Sequence, residues 1–302
     1  MKIFKSLGSG ARLALKSLKV ILVVWFVMLL LVSLFVMPAK SIMRAGFGSS
    51  TITELLRSGI NVDVIADLER YFTSIVSYLS SGLFLFLLLG IMIYTFFAGG
   101  LFKSVSNPSQ VLSVPCFFRA SAKYFWYFLG LWFFVILMIL LSGLLIIGLP
   151  VGLISQAENP PPGILRVVAI IAGLIYLGLL IIFILVADYA RAWLIATEKP
   201  ALFKALGYGF GETFSHFGTS FLMMVIIMII VLIFSWLTST IIGIWKPESG
   251  GGVFLLFVVS QLLFFVKILL KTWRYGSVTA LMELNKPTTS PLGEGREGVK
   301  LA

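Results

Sequence analysis

Charge is what this sequence has least of. Asp, Glu, Lys and Arg make up 12% of its 302 residues, whereas 60% are hydrophobic. A soluble domain carries about 25% charged and about 45–50% apolar residues. A larger soluble core does not absorb the deficit, because a globule of this length still needs a wet polar surface. The surplus apolar surface therefore faces lipid, in keeping with a mean hydropathy of +1.08. Cysteine and histidine are almost missing too. The single Cys116 excludes an internal disulfide, and with His216 the only histidine the chain cannot build an ordinary zinc site. Cys116 reads as an inert small hydrophobe, and no metal or other cofactor is expected. Acidic residues are also scarce, 12 against 23 basic ones, for a net charge of +11.

What is abundant is long apolar runs. A membrane helix needs roughly 20 mostly apolar residues to cross about 30 Å of hydrocarbon. Six runs qualify: Val20 to Met37, a stretch within Tyr71–Phe102, one between Lys123 and Glu158, Val167 to Ala187, one starting near Phe217, and one ending at Lys267. The first follows five basic residues, as a signal peptide would, but it is longer than the usual signal core and MPAKS is a poor cleavage site. An uncleaved span is expected.

The basic residues then orient the chain. With the N-terminus inside, seventeen Lys and Arg fall on the inner side and six on the outer, while the acids split six and six. That is the positive-inside bias, and it places both termini in the cytoplasm. Basic clusters at membrane ends meet anionic headgroups, so membrane lipids, not nucleic acid, are the expected partners. The expected fold is all-α: a polytopic bundle of six transmembrane helices with interfacial amphipathic helices, spanning residues 1–284, and a disordered cytoplasmic tail over 285–302, which is rich in Gly and Pro.

Between the spans, Thr51 to Glu54 has capping-box spacing, and apolar residues from Val64 to Leu79 recur at helical steps, predicting an outer amphipathic helix that could also meet a membrane protein partner. The inner segments 100–123 and 188–216, rich in aromatic and basic residues, are expected to lie flat at the interface. Phe4-Lys5-Ser6-Leu7, Phe102-Lys103-Ser104-Val105 and Phe203-Lys204-Ala205-Leu206 recur at intervals of 98 and 101 residues. They suggest three related units, each an interfacial helix followed by a two-span hairpin, with an insertion near Asn107-Pro108 in the middle one.

Catalytic patterns are absent. There is no HExxH, no GxSxG with a partner histidine, and no pair of intramembrane carboxylates. Gly207-Tyr-Gly-Phe-Gly211 lacks the strand and the Lys-Ser/Thr of a phosphate loop and reads as close helix packing. Ionisable residues near hydrocarbon remain the functional candidates. Asp188 ends the fourth span with Arg191 at i+3, a local ion pair; a longer-range pair of Asp188 with Lys267 would instead link spans four and six. His216 is a headgroup-level residue or, more sharply, a general base. Ser260 and Gln261 suggest a helix–helix hydrogen bond. So few polar groups at mid-span disfavour ion-coupled transport.

The stretch DYARAWLIATEKPALFKALGYGFGETFSHF, residues 188–217, and its counterpart FFRASAKYFWYFLG, residues 117–130, resemble the six-span bacterial proteins related to the membrane domain attached to some glycerophosphodiester phosphodiesterases. The resemblance implies a helical envelope protein without catalysis of its own, since no phosphodiesterase barrel is present. The sequence reading is thus a non-enzymatic, lipid-interacting or accessory protein. A transporter or export component for an apolar or amphipathic solute is the alternative, and a membrane-embedded enzyme comes third.

Overall fold

In the computed structural model the described residues are 2–47, 69–106, 112–156, 163–198, 201–247 and 249–285. They form eight helices and no strand: α1 Lys2–Lys16, α2 Leu18–Phe47, α3 Glu69–Ser106, α4 Val114–Ser155, α5 Ile164–Thr197, α6 Leu202–Ser215, α7 Phe217–Ile244 and α8 Gly250–Asn285. Five of them, α4, α5, α7, α8 and the Gly82–Ser106 part of α3, are long and apolar enough to cross a membrane. A sixth is reached if α1 and the apolar part of α2, bent by 67° at their junction, count as one broken span. The expected features at residues 51–68, at Asn107-Pro108 and in the tail beyond Asn285 lie outside the described residues.

Local chemistry sets the breaks. Ser17 stands between α1 and α2, and its hydroxyl donates to the Leu13 carbonyl at 3.0 Å, a back-bond that bends helices. His216 separates α6 from α7 with φ −123° and ψ 38°. Pro115 opens α4 in its first turn, where a missing N–H costs nothing. Farther along, α4 widens into a π-turn at Leu144–Gly148 just before Pro150, whose ring cannot continue the ordinary bonding. Two inner segments differ from expectation. Residues 100–106 and 114–123 belong to α3 and α4, and 188–197 to α5, so only α6 forms a separate helix there. These helices run on because hydropathy stops at the first charges, whereas backbone hydrogen bonding does not.

The core sits at one end of the bundle. It gathers the starts of α2, α4 and α7 (Val20–Val24, Phe117–Leu131, Met223–Ile227) and the ends of α3, α5 and α8 (Phe97–Val105, Leu185–Ile195, Ile268–Met282), with α1 and α6 laid in. Starts and ends alternate along the chain, so successive long helices run up and down, and the described ends meet. Lys2 Nζ donates to Asn285 Oδ1 at 3.5 Å. Away from this end the helices expose Leu, Ile and Phe freely, and the most apolar windows of α4 and α8 bury none of their residues.

Glycine makes the close approaches that this end requires. A Cβ on Gly10 of α1 would lie 2.8 Å from Ser277 Cα of α8, and one on Gly209 of α6 would fall on the Val186 carbonyl of α5. Gly99 and Gly100 of α3 abut Phe117 and Ser121 of α4 in the same manner. By contrast Gly8 and Gly207 face open space. The buried set of α1 (Ser6, Leu7, Gly10, Ala14) recurs 199 residues on in α6 (Ala205, Leu206, Gly209, Thr213). Phe4 and Phe203, 76% and 79% exposed, match as well. The Phe102 copy of the motif sits differently: it ends α3 and is fully buried.

Small-residue contacts of this type hold membrane helices together by van der Waals packing. Gly10→Ala and Gly209→Ala should therefore destabilise the protein by about 1–3 kcal/mol through overpacking. Gly8→Ala and Gly207→Ala should be neutral or stabilising by up to about 1 kcal/mol, from helix propensity alone. Thermal unfolding of the four variants in detergent checks the contrast.

Candidate functional site

Ionisable side chains concentrate where α5 and α8 cross at the packed end. Asp188 has no exposed side-chain surface. Arg191, one turn on in α5, donates from Nη1 to Asp188 Oδ1 at 2.8 Å. Arg274 of α8 brings Nε to 2.8 Å from Asp188 Oδ2, a contact close enough for an ion pair but not aligned as a hydrogen bond. A buried carboxylate must be paired to stay charged, and here two helices supply the partners. Aromatic rings complete the surround. The Arg191 guanidinium lies 5.9 Å from the Phe128 ring and that of Arg274 lies 5.3 Å from the Tyr275 ring. Tyr275 in turn stacks on Phe102 with centroids 4.0 Å apart.

The depth of the cluster follows from helix geometry. At 1.5 Å per residue, Asp188 is about 36 Å from the start of α5 and Arg274 about 36 Å from the start of α8. Both distances exceed the roughly 30 Å of a hydrocarbon core, and the nearest charges before the pair on α8 are Lys267 and Lys271. The other expected site residues are elsewhere. Lys267 does not reach Asp188: the helix-to-helix partner is Arg274, two turns farther along the same face of α8, and Lys267 is exposed at the mouth of a cleft. Ser260 donates to the Phe257 carbonyl of its own helix at 2.7 Å rather than to a neighbour. Gln261 lines a second apolar cleft between α2 and α8, with a volume of about 380 Å³, and makes no interhelical hydrogen bond among the described residues. Ser33 likewise donates to the Leu29 carbonyl of its own helix at 2.9 Å, whereas Tyr176 of α5 donates across to the Ile139 carbonyl of α4 at 3.1 Å.

His216 belongs to a separate polar node. Its Nδ1 is 3.4 Å from Glu212 Oε1, which also accepts from Asn285 Nδ2 at 3.1 Å. Burial, and then the Glu212 carboxylate, push the nearby Tyr208 hydroxyl up to about 12. At the rim, Lys103 Nζ lies 2.9 Å from Glu198, whose backbone takes the left-handed conformation (φ 54°) that ends α5. The Lys103 ammonium holds that carboxyl below its usual range. The sole cysteine, Cys116, is exposed in the first turn of α4 rather than packed as a small hydrophobe. Among the described residues no three of His, Cys, Asp and Glu converge on a metal site.

An apolar cleft and a smaller basic pocket open on the side of α8 that carries Lys267 and Lys271. The larger, about 500 Å³, lies among α2, α3 and α8, with Gly90, Tyr94, Trp132, Phe264, Lys267 and Lys271 on its walls. A smaller pocket of about 210 Å³ between α3, α7 and α8 shares Tyr94, Lys267 and Lys271 with it and adds Arg274 and Ser235. Sequence reading singled out Lys267 but passed over Lys271 and Arg274. Their signal was the i, i+4, i+7 spacing, which puts all three cations on one face of α8.

Fold and site together define a protein that is all-helical among the described residues, with five helices long and apolar enough to cross a membrane, packed at one end around a buried ion cluster. No protein-family model, curated protein or solved structure matches the chain.

Removing the carboxylate leaves two buried guanidiniums without a counter-charge. Asp188→Asn should cost about 3–5 kcal/mol. Lys103→Ala, at the exposed rim, should leave stability nearly unchanged. Denaturation of both variants in the same detergent measures the difference.

Proposed function

We propose that this chain is a six-span, non-enzymatic inner-membrane protein of bacteria, with both ends in the cytoplasm, that interacts with lipids as an accessory of the envelope. The single observation that carries this reading is the uneven packing. Side chains close tightly at one end, while over most of the hydrocarbon depth the helices stand apart and present Leu, Ile and Phe to whatever surrounds them. In a membrane that surroundings is acyl chain, so lipid fills the apolar clefts and completes the fold. The packed end carries the basic surplus, from Lys2 to Lys19 and from Lys267 to Arg274, which supports its placement on the cytoplasmic face. The sixth span is α2, with α1 as an interfacial helix bent away from it.

Three related units are part of the proposal. The pairs α1 with α8, α3 with α4, and α5 with α6 each join the end of one hairpin to the opening segment of another. Buried positions 95, 97–102 and 104 at the end of α3 recur 88 residues on at the end of α5. The middle unit then opens on Phe117–Ser121 rather than on the Phe102 motif. A transporter or export component for an amphipathic solute is the second reading, favoured by the cleft of about 500 Å³. Mid-span hydroxyls already bonded to helix carbonyls speak against ion coupling.

Two measurements test these points. The native Cys116 should react with a membrane-impermeant maleimide in inside-out vesicles and not in intact cells. A Cys116→Ser/Ser155→Cys variant should reverse the pattern, and the opposite outcome would invert the topology. After gentle extraction, native mass spectrometry should show the full chain carrying phospholipid; recovery with neither lipid nor protein partner would contradict the reading.

A further inference from the structure

Lys267, Lys271 and Arg274 present three cations toward one small pocket whose walls hold no acid. Arg274 is neutralised from behind by Asp188, which it shares with Arg191. Among the described residues neither lysine has an acidic partner within ion-pair distance. Lys271 is instead held over the ring of Tyr94, with Tyr275 on its other side. An ammonium enclosed by rings and aliphatic side chains, without a counter-charge, is costly. The positive excess in this pocket therefore lacks a complement among the described residues.

The surroundings say what that complement is. Tyr94, Lys267 and Lys271 also border the large cleft, which is otherwise apolar. Its α3 wall runs from Phe86 to Leu101, about 22 Å of helix, which exceeds half of the hydrocarbon thickness of about 30 Å. The lysines stand about 26 and 31 Å along α8 from its start, at the boundary between hydrocarbon and headgroups. A soluble anion would satisfy the cations and leave the cleft empty. A neutral lipid would fill the cleft and leave the cations unpaired. We infer that the α3–α8 cleft is a binding site for one phospholipid with a net negative headgroup, its phosphate between Lys267, Lys271 and Arg274 and an acyl chain along α3 past Gly90. The inference rests on the lipid-interacting reading above and assigns it a place and a charge preference.

Gly90 provides a test that leaves the fold alone. A Cβ there meets nothing within 4 Å, so Gly90→Leu fills the acyl path without touching the packed end. The full chain in neutral detergent is titrated with phosphatidylglycerol, phosphatidylcholine or diacylglycerol and read by native mass spectrometry, with inorganic phosphate as competitor. Phosphatidylglycerol should bind at least about tenfold more tightly than phosphatidylcholine. Lys267→Gln with Lys271→Gln should erase that preference, each lysine contributing about tenfold as a charge-assisted hydrogen bond. Lys267→Arg with Lys271→Arg should keep it, and Gly90→Leu should weaken both phospholipids.

Equal binding of the two phospholipids, unchanged in the Gln variant, would overturn the site and leave the lipid-interacting reading standing. Retention of no lipid at all would overturn both. Saturation by inorganic phosphate with the same lysine dependence and no effect of Gly90→Leu would make the ligand a free anion and overturn the lipid assignment. Should the Gln pair fail to fold, the headgroup preference of the wild type and the Gly90→Leu result still decide the matter.

Discussion

The packed end turns on a carboxylate that has no exposed surface. Asp188 is fully buried, and the cost of holding a charge there is met only if its partners are fixed in place. Arg191 comes with it on α5, but Arg274 comes from α8, so the pair ties the fourth and sixth apolar segments together at a set depth. That requirement explains why α5 and α8 continue for about two to three turns past the charges instead of ending at the membrane boundary. The extra turns carry Leu194, Ile195, Val278 and Leu281 into the core and provide the surfaces on which α6 and α1 lie. Glycines at positions 10 and 209 let those helices settle against backbone, and the aromatic layer of Phe102, Phe128 and Tyr275 closes over the arginines.

With cohesion concentrated at one end, the rest of the bundle has little reason to close. Apolar side chains gain nothing from leaving lipid for each other, because lipid tails are as apolar as leucine. Between α3 and α8 the contacts of Lys271 with Tyr94 and of Tyr275 with Phe102 lie toward the packed end, and beyond them the walls of the cleft are apolar side chains. In the reading proposed above, a lipid completes the fold, and one with a negative headgroup would also balance the cations that the ion cluster leaves over.

Much of this was legible in the residues. Apolar runs located the long helices, and the i, i+3 spacing of Asp188 and Arg191 announced their contact. Arg274 was missed because 86 residues separate it from Asp188 in sequence, and nothing local says which of three basic residues on α8 will reach across. Lys267, the basic residue of α8 that comes first after its apolar run, offers only the longer-range alternative for Asp188, and the crossing of the helices falls two turns later. The interfacial segments were drawn too long for a related reason: charges end a hydropathy window but not a helix. The motif shared by residues 4–10 and 203–209 signalled close packing at its final glycine, and Gly10 and Gly209 behave alike. The copy at Phe102 differs in setting, since that phenylalanine is buried where Phe4 and Phe203 are exposed.

The most direct measurement is a double-mutant cycle between Asp188 and Arg274 in lipid nanodiscs, using Asp188→Asn, Arg274→Gln and the pair. If this ion contact joins α5 to α8, the double variant should be less destabilised than the sum of the single ones, with a coupling of about 2 kcal/mol or more. Effects that add within about 0.5 kcal/mol would mean that the two side chains act independently, and the packed end would then owe its cohesion to something else.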